Sequence, residues 1–97
     1  MNFVYYEIVE DCIEAKNVYD AYLSIKIGNE LMNHLSKLGK LVVMNNIEKP
    51  FFRIIVRGKY TLKAVMTDDK LRVLLPDIAD FRVLDEIKYH INEFGKV

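Results

Sequence analysis

Tryptophan and glutamine are absent from this chain of 97 residues, which holds one cysteine, two prolines and four glycines. Each scarcity removes a class of chemistry. A lone thiol, Cys12, excludes an internal disulfide and suits a reducing compartment, and its expected role is that of a small part-buried apolar side chain. Gly28, Gly39, Gly58 and Gly95 stand apart, so no glycine-rich loop can bring successive backbone N–H groups onto a phosphate. His34, His90 and Cys12 lie far apart in sequence, without the short spacing that zinc ligands adopt. The two serines, Ser24 and Ser36, do not fall on the sharp strand-to-helix turn that exposes a nucleophile. Neither a cofactor nor a metal is expected.

Two further absences bear on location. No stretch of eighteen apolar residues could cross a membrane as a helix. Glu7, Glu10 and Asp11 fall where a signal peptide would be uncharged, so a cytoplasmic protein is expected. The length suits one domain over residues 1–97, and 52% hydrophobic with 29% charged residues is a globular composition.

What the sequence does contain is a run of strand-like segments. Residues 41–75 carry an apolar side chain at every second position in four stretches separated by turn residues, the pattern of an antiparallel meander. Register follows from requiring apolar side chains to share a face. A loop at 48–50 pairs Met44 with Ile54 and Val42 with Val56. A loop of Gly58, Lys59 and Tyr60 pairs Val56 with Leu62, Ile54 with Ala64 and Phe52 with Met66. A two-residue turn at Asp68 and Asp69 pairs Met66 with Leu71 and Leu62 with Leu75.

The flanks supply the rest. Phe3 to Val9 reads as a fifth strand. A short turn of helix is expected at 11–16. A long helix follows over 18–38, because Leu23, Ile27, Leu31, Leu35 and Leu38 fall on one stripe of a helical wheel, with Gly39 as its stop. Tyr19, Ala21, Leu23, Ile25 and Ile27 also fit the period of a strand, which is the competing assignment. After Pro76, Asp77 or Asp80 caps a C-terminal helix whose stripe is Val83, Leu84, Ile87, Ile91 and Phe94. The fold expected is therefore α+β: a two-layer sandwich of a mostly antiparallel sheet, formed by an N-terminal strand and a four-stranded meander, covered by a long and a C-terminal helix.

The other face of the meander is the candidate functional surface. It holds Arg53, Arg57, Lys63, Lys70 and Arg72, with Phe51 and the aliphatic Val43, Ile55, Val65 and Leu74 between them, whereas a merely solvated face should be almost wholly polar. Charge is distributed to match: residues 1–40 sum to −2, 41–76 to +4 and 77–97 to −2, within a net charge of zero. Such a face suits a partner with complementary charge. Tyr5, Tyr6, Tyr19 and Tyr22 cluster early in the chain and are candidate interface residues, since tyrosine offers contact area at little entropic cost.

The remaining polar residues have structural explanations. His34 and His90 border the apolar stripes of their helices and should be half-buried; if both helices pack on one face, they meet. The carboxylates at 68–69, 77 and 80 coincide with turns and caps. The expected function is a non-enzymatic protein-interaction or homo-oligomeric assembly module, with a second copy or another protein as partner. The alternative is a nucleic-acid binder using the basic face. Against that alternative, only Phe51 on this face offers a ring on which a base could stack.

Overall fold

The computed structural model describes residues 1–10, 17–45, 48–78 and 80–96. It contains β1 (Phe3–Ile8), β2 (Asn17–Leu23), α1 (Asn29–Leu35) running into a 3-10 turn (Ser36–Leu38), β3 (Lys40–Met44), β4 (Phe51–Val56), β5 (Tyr60–Val65), β6 (Lys70–Leu75) and α2 (Val83–Glu93). The strands form one antiparallel sheet of order β1-β2-β6-β5-β4-β3. Strand makes up 41% and helix 24% of the structure, so the molecule is mostly sheet.

This overturns the expected five-stranded sandwich with a long helix. Residues 18–38 are divided between a sixth strand, a loop and a short helix. The misleading stripe is still core: Leu23 is buried in β2, Ile27 in the loop, and Leu31 and Leu35 in α1. Helical spacing persisted across three kinds of backbone because each segment must turn an apolar residue inward at its own period. Gly28, which would weaken the interior of a long helix, instead immediately precedes α1. The helical turn expected at 11–16, with Cys12, lies outside the described residues.

β2 earns its place by geometry. It lies between β1 and β6 and so satisfies the backbone groups that β6 would otherwise present as an edge. The loop after it is laced to the β5–β6 turn: Leu23 N–H donates to the Asp69 carbonyl and Ile27 N–H to that of Asp68, each at 2.8 Å, while Thr67 N–H donates back to Ile27.

Three registers also differ from expectation. β4 and β5 pair Ile54 with Leu62 and Phe52 with Ala64, and β5 and β6 pair Leu62 with Val73 and Ala64 with Leu71. Both are shifted by an even number of residues, so every side chain keeps its expected face. The turns differ accordingly: Gly58, with φ +79, sits in a turn that ends before the buried Tyr60, and Thr67 takes φ +71 ahead of the two aspartates. Between β3 and β4 the shift is odd. Leu41 pairs with Ile54 and Val43 with Phe52, which places Leu41 and Val43 on the core face and Val42 and Met44 on the other.

Both helices pack on the same face of the sheet. Leu31 and Leu35 of α1 and Val83, Ile87 and Ile91 of α2 share one buried cluster with Phe52, Ile54, Leu62, Leu71 and Val73. The start of the chain is tied to the end of α2, where the Asn2 side-chain amide donates to the carbonyls of Ile91 and Phe94 at 3.0 and 2.9 Å, satisfying groups a helix end leaves open.

Tyr6 links β1 to α2. Its hydroxyl donates to the Leu84 carbonyl at 2.7 Å, and burial first, then the Asp85 carboxylate, hold its phenol well above the ordinary value of 10. A raised pKa in the folded state means stability is intact below the unfolded phenol value and is lost as pH rises past it. Urea titrations across alkaline pH should therefore show steeper loss above about pH 10 in the parent than in Tyr6→Phe, which itself forfeits about 1 kcal/mol for the missing hydrogen bond. Parallel curves for the two proteins would contradict this. Burial raises Tyr60 as well, so the difference between the curves, rather than either alone, reports on Tyr6.

Candidate binding face

The face opposite the helices carries three rows of side chains, fixed by alternation along each strand and by the registers across them. The central row reads Glu7, Asp20, Arg72, Lys63, Arg53, Val42 from β1 to β3. On one side of it lie Tyr5, Tyr22, Lys70, Val65, Phe51 and Met44. On the other lie Val18, Leu74, Thr61, Ile55 and Lys40. No helix among the described residues covers this surface, whereas Ile55 is 39% and Tyr5 48% exposed.

The charges are not evenly spread. Asp20 is buried, and Arg72 grips it with Nε and Nη2 at 3.0 and 3.3 Å, with Lys70 Nζ at 4.0 Å. Five cations on the face, Lys40, Arg53, Lys63, Lys70 and Arg72, stand against the two carboxylates of Glu7 and Asp20, leaving three net positive charges. The carboxylates occupy the β1–β2 side, so positive potential concentrates towards β3, β4 and β5. There the surface sinks into an open groove of about 430 Å³ lined by Arg53, Ile55, Arg57, Lys59, Thr61 and Leu74 among others. A smaller hollow of about 230 Å³ lies between Asp20, Lys63, Val65, Lys70 and Arg72.

Of the residues singled out by sequence, Arg53, Lys63, Lys70, Arg72 and Phe51 do share this face, and Arg57 lies just past the end of β4, at the groove. The four tyrosines divide. Tyr6 and Tyr19 turn to the helix side and pack against the core, their rings edge to face at 6.2 Å. Tyr5 and Tyr22 come to the open face as a parallel stack, 4.7 Å between centroids and 10° between planes. Desolvation, then the Glu7 carboxylate, raises the Tyr22 phenol, which marks this end of the face as acidic. Sequence reasoning missed Asp20 and the pairing of Tyr5 with Tyr22 because both depend on β2 being a strand. The signal available was the alternation of Tyr19, Ala21 and Leu23 with Asp20 and Tyr22.

The histidines do meet. Their rings stack at 4.2 Å, and His34 Nε2 donates to the His90 carbonyl at 2.7 Å while His90 Nε2 donates to that of His34 at 3.0 Å. Because a carbonyl can only accept, each Nε2 carries a proton. The pair clasps α1 to α2, and both Nε2 atoms are engaged with backbone. Among the described residues no cluster of three or more His, Cys, Asp or Glu could hold a metal ion, and no helix is long and apolar enough to cross a membrane.

Comparison with known proteins finds no match: no family model, no curated protein and no solved structure resembles the chain.

Proposed function

We propose that the protein is a cytoplasmic binding module that docks an anionic partner on the open face of its sheet. The observation that carries this reading is the alignment of Arg72, Lys63 and Arg53 on three neighbouring strands of a face no described helix covers. Neighbouring strands lie about 4.8 Å apart, so like charges are held close together and their field adds. Aliphatic side chains between the cations give a partner apolar contact as well. The lone Cys12 agrees with a reducing compartment.

Self-association keeps only part of the support that the tyrosines offered. Of the four tyrosines expected at an interface, Tyr6 and Tyr19 are packed against the core, while Tyr5 and Tyr22 remain on the open face. Two copies stacked through the open face would also bring two surfaces of net positive charge together, which costs several kcal/mol where charges are juxtaposed.

Binding to heparin at graded salt, read by elution, tests the docking surface. Arg53→Glu and Lys63→Glu should each elute earlier than the parent. Asp20→Asn should elute later, because it removes a negative charge from the same row, although loss of the Arg72 contact makes it less stable. Unchanged elution in all three would refute the reading, and sedimentation at twice the chain mass would restore the homodimer.

A further inference from the structure

We propose that the anionic partner is single-stranded nucleic acid, its phosphates running across the strands over Arg53, Lys63 and Arg72 and its bases turned onto Phe51 and the Tyr5–Tyr22 pair. This rests on the docking reading above and narrows it. The face places cations and rings in adjacent rows: Arg53, Lys63 and Arg72 in one, Phe51, Tyr22 and Tyr5 in the next. Side chains two residues apart on a strand are separated by about 7 Å, so a backbone can follow one row while its bases reach the other. A ring surface beside a basic track suits bases, which all present a flat π-face. An acidic peptide would gain from the cations and nothing from the rings.

Secondary structure removes the objection that the sequence raised. With β2 a strand instead of part of a helix, Tyr22 comes to the basic face and stacks there with Tyr5 of β1, so both rings join Phe51. Lys63 Nζ rests 5.7 Å from the centroid of the Phe51 ring; a base arriving there takes the place of the ammonium and releases it to a phosphate. Glu7 and Asp20 bound the track on the β1–β2 side, so the backbone leaves the face there and the base on Tyr22 is reached from β6. The footprint is short, about three phosphates. A duplex fits less well, since its bases are already stacked on one another and cannot reach the rings.

Fluorescence anisotropy with decathymidylate, a duplex of the same length and decaglutamate tests this. For about three phosphates the expected slope of log affinity on log salt is about −2, or roughly twentyfold weaker binding between about 50 and about 200 mM salt. Phe51→Ser and Tyr22→Ser should each weaken decathymidylate by about tenfold, while Tyr22→Phe, which keeps the ring, stays near the parent. Arg53→Glu, at an exposed position, weakens it without disturbing the core. Decaglutamate bound as tightly, with the serine variants silent, overturns the nucleic-acid inference and leaves anionic docking standing. Duplex preferred over single strand overturns it too. Failure of all three probes to bind removes both proposals.

Discussion

Phe52→Ala is expected to remove about 3–5 kcal/mol of stability, a large part of the roughly 5–15 kcal/mol that a domain of this size possesses. Phe52 is fully buried near the middle of the core face, flanked across the ladder by Ala64 and Val43. Its neighbour Ala64 is small, so the ring fills space that the adjacent strand cannot, and truncation leaves a cavity with little to collapse into it. Phe51, the preceding residue, points to the open face and is only partly buried. Phe51→Ala should accordingly cost about 1 kcal/mol or less. Urea unfolding of the two variants makes a sharp comparison, because a slip of one residue in β4 would exchange their roles. Equal losses, or a larger loss at Phe51, would refute the register.

That comparison also indicates how far the sequence can be read. In β4, β5 and β6 every second residue is apolar and the cations fall between, so the faces of Arg53, Lys63 and Arg72 were legible even though both strand pairings were drawn two residues out of register. An even error is invisible to a pattern of period two. β3 offers no such guide: Leu41, Val42, Val43 and Met44 are apolar on both faces, and the odd error there exchanged its sides. The hardest segment was 18–38. Leu23, Ile27, Leu31 and Leu35 are four residues apart and all buried, yet only the last two belong to one helix. Local periodicity could not reveal that β6 needed a partner strand on its far side. With β2 unrecognised, Asp20 and Tyr22 could not be placed on the basic face, and the most informative arrangement on the surface, the row from Glu7 to Val42, stayed hidden.

Gly39 is where the sequence reading and the structure assign one residue two different reasons, and substitution separates them. As a helix stop it should adopt the left-handed conformation, which Asn also tolerates, so Gly39→Asn would be nearly harmless. In the structure Gly39 is extended, with φ −171 and ψ −156, a conformation open to any residue. What excludes a side chain is contact. An added Cβ would collide with the Ile55 carbonyl oxygen, and would stand 2.9 Å from the Ile55 carbonyl carbon and 3.0 Å from Val56 Cγ2. The obstacle is backbone, which cannot swing aside as the end of a side chain can. Lys40, the following residue, pairs with Ile55 at the start of β3, so relief requires β3 to move away from β4 and give up ladder hydrogen bonds. Gly39→Ala should therefore destabilise by about 2–3 kcal/mol, and Gly39→Asn by at least as much, with faster amide exchange along Lys40–Met44 than along Phe51–Val56. Gly58→Ala is the counterpart: its φ of +79 strains the backbone but the space around it is open, so about 1–2 kcal/mol is expected there with no loosening of β3. If Gly39→Asn unfolds at the parent's urea midpoint, close approach to β4 is not what selects glycine at this position.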